Sequence, residues 1–566
     1  MGQNASSRSA ESVEGRLIFR DEKEILEFFD NQAVRQLHGL ELVAFQNNIG
    51  LDADLKDYLS CEFLVQLCKL PRHKYGFVKV FYQMIGNASK FPLMGGGAGE
   101  DVPTFVGLVK ACLLFDYKKL LKYAQCKTYD QVSLIFILLA LEPHAKVSKK
   151  ELGRPPSSYD ARKIMESFND INLETIEVSA DDLLQFMTFL LVITKYCIFE
   201  NVEVNPSIYE NWKDYESQAL NILRTMNPCI VSYSDAAKNV VTLAQFKDCI
   251  TAVCPNLLTP LGVFMKHVLY KSEHLVSDSG ATINDRSSTV MTDPLLAQLC
   301  TLWPKHIIYQ NLKKLFIAKQ SGFSIRSFQA KVVNWMAPSI LLVSGMKIMD
   351  DSKLLAKNQR YKSFLQEYPK LKDEDQKADS IVGGKRKVTF AVFVHEAWKV
   401  TNKEQFGNLK TLILQLSPRQ EVFQASKNGN IYFNTVGGGI GIGNSQPVIK
   451  SSGKKYFPGN VSLTIDPSFE FGVFRNVGHG GSISPGKLFL ERPDVEQSLE
   501  CRFIIQDVEV WGCGGDKEFE AQLKQWEWEE AESERRQYIN LSSIGEDKAL
   551  LEMVGLVGHH QSGGSL

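Results

Sequence analysis

Four stretches of the chain carry residue types whose spacing could do chemistry. "IYFNTVGGGIGIGNS", residues 431–445, holds five glycines between positions 437 and 443. Bare backbone N–H groups in such a run can approach a phosphate closely. "VFVHEAWK" begins like the zinc-protease pattern HExxH, and "NVGHGGSISPG" places His479 beside serines. "DINLETIEVSADDLLQF" spaces Asp170, Asn172, Glu174 and Asp181 as loop positions one, three, five and twelve of an EF-hand.

Each pattern fails when its register is checked. A GxGxxG starting at Gly437 requires glycine where Ile442 stands, and one starting at Gly439 requires it at Asn444. No helix pattern follows, as a dinucleotide fingerprint demands. "SSGKKY", "VGGKRK" and "SPGKLF" all lack the GK[ST] ending of a P-loop. The glycine run is therefore expected to be a loop between strands. In "HEAWK", Lys399 occupies the second histidine position, and Ser484 replaces the last glycine of a GxSxG elbow. His479 has no spaced acid to complete a triad. No catalytic residue and no cofactor is expected; a hydrolase or redox enzyme built around His479 and Ser482 is the rival reading.

Calcium fares no better. Thr175 replaces the turn glycine, Asp181 is shorter than the bidentate glutamate, and Glu177 stands at the usually apolar eighth position. Upstream, Asp52 and Asp54 start a second loop, but Lys56 is at position five and Phe63 at twelve. The third loop, "SDAAKNVVTLAQF", carries Lys238 and almost no carboxylate. Calcium takes six to eight oxygens, so degenerate EF-hand-like packing without a metal is expected.

The elements that must position these residues fall into three parts. The 566 residues exceed one ordinary core, and 44% hydrophobic with 23% charged residues describes a globular protein. A formal charge of −1 gives no global reason to expect nucleic acid. Eleven scattered cysteines without a CxxC pair read as reduced thiols. From 21 to 275 the pattern is helical, with Ile25, Phe28 and Phe29 at helical spacing. Polar residues 276–288 read as a linker. From 289 to 515 the runs are short and β-rich; Val461, Leu463 and Ile465 face away from Ser462, Thr464 and Asp466. Residues 350–386 read as a polar, mobile insertion. In the tail, 516–566, Phe519, Leu523 and Trp526 form a helical stripe that Trp528 leaves. That helix docks within the chain or binds a partner.

The fold class is α+β: a helical, degenerate EF-hand-like N-terminal half, an antiparallel β-sandwich with flanking helices, and a C-terminal helix. No window is long and apolar enough for a transmembrane helix, since Lys195 interrupts the strongest one. No secretory signal is expected. "MGQNAS" places Gly2 and Ser6 in the myristoylation pattern, within an N-terminus (1–20) expected to be disordered; chance is the alternative. One myristoyl chain binds membranes marginally and reversibly, and no polybasic patch stands nearby.

The segments "DPLLAQLCTLWP", "LFIAKQSGFSIRSFQAK", "PSILLVSG", "VTFAVFVHEAWK", "FPGNVSLTIDPSFEFGVF" and "FIIQDVEVWGCG", in this order, resemble the TLDc domain family. Their signature positions are Glu396, Trp398, Asp466, Glu509 and Trp511. The resemblance implies a β-sandwich without an established catalytic centre, a role in oxidative-stress resistance, and a protein partner in the subunits of the vacuolar proton-pumping ATPase. It leads to the expectation of a cytoplasmic protein that associates reversibly with the vacuolar membrane surface through its N-terminal lipid, without direct nucleic-acid binding.

Overall fold

The computed structural model describes residues 17–50, 54–95, 102–141, 158–198, 206–270, 288–303, 312–349, 351–371, 387–451, 453–486, 499–515, 517–528, 531–532 and 535. Gly2, Asp52 and nearly all of the 276–288 linker lie outside them.

The helical half has one continuous core. Its apolar stripes are closed by side-chain caps: Asp21, Thr104 and Asp130 accept from backbone N–H groups at the starts of the helices Glu22–Arg35, Phe105–Phe115 and Gln131–Ala140. Helix Ala180–Ile198 is buried on nearly every side, with Phe189 packed at tilted and edge-on angles among Phe77, Phe81 and Phe264. Strand β1 (Ile18–Phe19) pairs with β2 (Tyr159–Asp160), and β3 (Glu177–Ser179) pairs with β4 (Val240–Thr242).

The β3–β4 pair joins two EF-hand-like loops and corrects the sequence register. Val178 faces Val241 across the pairing, both buried, while Glu177 is exposed opposite Thr242. The central apolar position is thus one residue later than a loop counted from Asp170 requires. Phe168, Asn169 and Asp170 all have left-handed φ, at 51°, 60° and 58°. This turn takes up the offset.

The remaining strands build one antiparallel sheet and a separate hairpin. They are β5 (Leu312–Ile317), β6 (Ser339–Lys347), β7 (Lys387–Val394), β8 (Leu412–Ser417), β9 (Glu421–Gln424), β10 (Ile431–Asn434), β11 (Gly439–Ile442), β12 (Ser445–Lys450), β13 (Gly453–Phe457), β14 (Val461–Ile465), β15 (Phe471–Asn476) and β16 (Leu499–Cys513). The sheet order is β10-β11-β14-β15-β16-β6-β7-β8-β9, with β5 also on β16 and β12–β13 apart. The edge strands β9 and β10 are joined by residues 425–430 alone. A link that short spans at most about 25 Å, whereas nine strands laid flat would hold their edges about 38 Å apart. The sheet must fold over on itself, and it does: Phe474 of β15 packs on Phe390 of β7 and Phe423 of β9, with ring centroids 4.8 and 5.2 Å apart. The sandwich is therefore a single bent sheet around a shared core.

Three expectations need correction or completion. The glycine run is a loop only in its first part: residues 435–438 turn between β10 and β11, while Gly439–Ile442 is β11, paired with both β10 and β14. A Cβ at Gly439 (φ +75°) or Gly443 (φ +78°) would run into the carbonyl oxygens of Ile465 and Val461, and one at Gly441 into the Tyr432 ring. Glycine is needed there for close strand approach, not for an anion. The insertion is not a loop in its first part. Asp351–Lys357 and Gln359–Glu367 are helices, and Tyr361, Phe364 and Tyr368 pack on Tyr456 and Phe471. The polar run after residue 371 masks that stripe in the sequence; residues 372–386 lie outside the description. The tail helix, residues 517–528, docks within the chain: Phe519 and Trp526 pack on the sandwich, under Lys313 and Lys331 at 5.2 and 4.6 Å. Trp528 is exposed.

Candidate functional site

The site begins with a bulge. Along β16, Cys501, Phe503 and Ile505 face the sandwich core, and so do Val508 and Val510. The change from odd to even positions occurs at Gln506, where the pairing with β6 slips between Ile505 and Asp507. An extra residue re-aims every side chain after it. Asp507, Glu509 and Trp511 are thereby turned onto the outer face, under the helix Asp293–Cys300.

Glu509 is fully buried and saturated with donors. It accepts the backbone N–H groups of Thr289, Val290 and Met291 at 2.9, 2.8 and 3.1 Å. The Ser288 hydroxyl reaches both oxygens, and the Trp511 indole N–H donates at 3.0 Å. Asp507 accepts from the Thr289 hydroxyl and from its own strand at Val508 N, and pairs with Lys319 Nζ at 3.6 Å. The two carboxylates clamp residues 288–291, the lead-in to the first helix of the domain, as buried charge must be held.

Beside this clamp lies a buried polar junction between the two halves. Gln420, on the turn from β8 to β9, donates to Thr301 Oγ1 at 2.9 Å and to Val253 O at 3.3 Å, and accepts from Gln298 at 2.9 Å. Its backbone N–H reaches Asn221 O at 3.0 Å, and its carbonyl receives the Thr225 hydroxyl at 2.7 Å. Arg224 spans the boundary, donating to Pro418 O at 2.8 Å and to Val231 O at 2.6 and 3.0 Å. Burial pulls its guanidinium below the usual range. Glu421 is buried too, which raises its carboxyl above the usual range against the pull of Arg419 at 2.6 Å. Specific polar partners, beside the apolar contacts of Ala297 and Val422 with the helical core, fix how the halves meet.

The other signature residues are spread through the sandwich. Trp398 sits in its core among Phe328, Phe406 and Phe433 and donates to Ser339 Oγ at 2.8 Å. Glu396 accepts from Gly407 N at 3.1 Å. Asp466 closes the β14–β15 turn by accepting from Ser468, Glu470 and Phe471 N–H at 3.2, 2.6 and 2.8 Å, although burial holds its carboxyl above the usual range. Only Glu509 and Trp511 come together, and both serve the clamp.

The rival catalytic residues lie apart from it. His395 stands beside Asn408 and Lys410, at 3.3 and 3.2 Å. His479 is exposed on a loop, its carbonyl held by Asn460. Among the described residues, no group of three His, Cys, Asp or Glu side chains converges to hold a metal, and no helix is long and apolar enough to cross a membrane. Asp507, Gln298, Arg224 and Gln420 were missed from sequence. The legible signal was a polar residue inside an apolar run, as in "PLLAQLC" and "ALNILRTM".

Residues 284–514 match the TLDc domain. The full length of the chain aligns with the full length of proteins named restriction of telomere capping protein 5 from Lachancea thermotolerans (46% identical), Kluyveromyces lactis (45%) and Saccharomyces cerevisiae (46%, strain S288c).

Proposed function

The chain belongs to the family of the restriction of telomere capping 5 proteins, which carry a TLDc domain, and from that premise we propose a non-catalytic regulator that works by binding protein. The observation that carries this reading is the clamp. Asp507 and Glu509 are buried carboxylates of the signature strand, and both are spent on Lys319 and on residues 288–291, as Glu500 is on Arg475 and Arg502. They hold the domain to its lead-in and offer no free base. The partner we propose is the vacuolar proton-pumping ATPase, whose assembly or activity the TLDc domain alters, in keeping with a role in oxidative-stress resistance. The helical half acts as the platform that presents the domain, and a myristoyl group on Gly2 gives reversible contact with the vacuolar membrane.

Affinity purification of the full chain from its native cells, with identification of the bound proteins, tests the partner. Recovery of ATPase subunits is expected; their absence from repeated purifications overturns the assignment. Gly2→Ala should shift the protein toward the soluble fraction, and mass spectrometry showing an unmodified mature Gly2 overturns the lipid. A second reading, action on chromosome ends, is favoured only by the name of the relatives. Direct, salt-dependent binding of DNA by the purified chain would support it.

A further inference from the structure

A cleft of about 450 Å³ opens between the helix Trp212–Met226 and the outer face of the sheet. Its two walls come from the two halves of the chain. The sheet supplies Lys387 and Thr389, two residues apart on β7 and so on one face, with Ser417 directly across from Thr389 on β8. The helix supplies Ser217 and Gln218. Thr292, which caps the helix Asp293–Cys300, brings the positive end of that helix to the rim.

Ser417, Thr292, Gln218, Asn221 and Thr289 already have side-chain partners, whereas three lining groups do not. Thr389 is only 3% exposed, and its hydroxyl has no hydrogen-bond partner among the described residues. The Lys387 ammonium and the Ser217 hydroxyl have none either. The Thr389 hydroxyl opens onto the cleft, where water or a ligand can pair with it. No carboxylate lines the cleft among the described residues. Asp293, the acid nearest to the helix start, is paired with Lys195 at 3.0 Å. The chemistry on offer is one cation with several hydroxyl and amide groups, in a volume of the size that holds small molecules.

We infer that this cleft binds a small phosphorylated polyol, with the phosphate on Lys387 and Thr389 and the polyol hydroxyls on Ser217 and Gln218. The ligand touches both halves at once, so it favours the arrangement in which they are docked. This inference is independent of the vacuolar ATPase assignment and stands or falls without it.

The test is calorimetric titration of the full chain with myo-inositol monophosphate, with myo-inositol and inorganic sulfate as controls. Saturable binding of the phosphate ester is expected, with sulfate weaker and myo-inositol weaker still. Lys387→Met and Ser217→Ala, one on each wall, should each weaken binding about tenfold, the loss of one charge-assisted or polar contact. Thr389→Val, deeper in the fold, should do the same, and thermal unfolding of each variant checks that it is folded. Flotation with phosphatidylcholine vesicles containing a phosphatidylinositol phosphate separates the two sources of such a group. Binding beyond that to phosphatidylcholine alone, weakened by Lys387→Met, assigns it to a lipid headgroup, and binding of the soluble ester alone assigns it to a free metabolite; both uphold the site. No saturable binding in either arm, or binding that neither Lys387→Met nor Ser217→Ala weakens, overturns it.

Discussion

Glu509 receives the Ser288 hydroxyl on both of its carboxylate oxygens, at 3.0 and 2.9 Å, across 221 residues of chain. The first residue described in the TLDc region is thus pinned by the last strand of its sheet. Three further backbone N–H groups of the same segment converge on that carboxylate. Four donors from residues 288–291 thus anchor the start of the described domain to β16.

Replacing Glu509 by glutamine turns one acceptor oxygen into an NH₂ group facing N–H donors. The expected loss is about 3 kcal/mol of domain stability, because buried donors are left unpaired. Trp511→Phe removes a single donor and should cost about 1 kcal/mol before any packing loss. Denaturant unfolding measures both. Limited proteolysis should also cut near residue 288 faster in Glu509→Gln than in wild type. Equal cleavage rates would count against the clamp.

The polar junction yields a prediction about cooperativity. Arg224→Met keeps the bulk of the side chain but strands Pro418 O and Val231 O, which the guanidinium now serves. A cost of about 2 kcal/mol is expected. Because the bond to Pro418 O crosses between the halves, calorimetry should resolve two unfolding transitions where wild type shows more closely coupled melting. A single transition shifted as a whole would mean that Arg224 stabilises the helical half alone.

Asp130 supplies a pH dependence. It caps the Gln131–Ala140 helix through Ser133 N at 3.0 Å and pairs with Lys247 at 2.7 Å. Partial burial works against the ionised carboxyl, but these bonds prevail and hold it below the usual carboxylate range. A lowered folded value means that the unfolded chain binds the proton first. The stabilisation is therefore present above the unfolded aspartate range, about pH 4, and is lost as pH falls through the folded value. Asp130→Asn keeps a good capping residue and loses the ion pair. The pair is half exposed and worth under about 1 kcal/mol. The variant should flatten the acid limb of stability against pH while changing neutral stability little. An unchanged acid limb would assign that limb to other carboxylates.

How much of this was legible in the sequence depends on where the deciding contact lies. Alternation along "VSLTIDP" is a local property, and β14 follows from it directly. The ordered blocks from residue 289 onward carry the family, and with it the β-sandwich. The bulge at Gln506 is not legible, because one slipped residue inside fifteen of strand leaves the composition unchanged; it shows only in the pairing with β6. Yet it decides that Glu509 and Trp511 face outward. The strand part of the glycine run was missed for a similar reason. Glycine signals either a loop or close strand approach, and the choice rests on Tyr432 and the carbonyls of Val461 and Ile465, which the run itself does not contain. Arg224 and Gln420 are neighbours only once the two halves meet, so neither could be placed from its own segment.

The corrected register of the helical half leads to a prediction about calcium. An EF-hand loop needs its oxygens at alternate positions and a bidentate carboxylate at the twelfth. With Val178 facing Val241 at the centre of the pairing, the position counted back as the first ligand is Ile171, which is buried and apolar. Asp170 is instead drawn into the left-handed turn, its N–H held by Ser167. The facing loop places Lys238 where a ligand would stand, and its Asp235 already accepts from Ser232 and Val231 N–H at 2.8 and 3.2 Å. Neither loop can gather six oxygens without remaking the β3–β4 pairing. Titration of the full chain with calcium should therefore give no saturable heat, and a chelator should leave its thermal unfolding unchanged. Saturable binding abolished by Asp170→Ala would require the register to slip back by one residue, exposing Val178. Hydrogen exchange at Val178 and Val241 would reveal that slip directly.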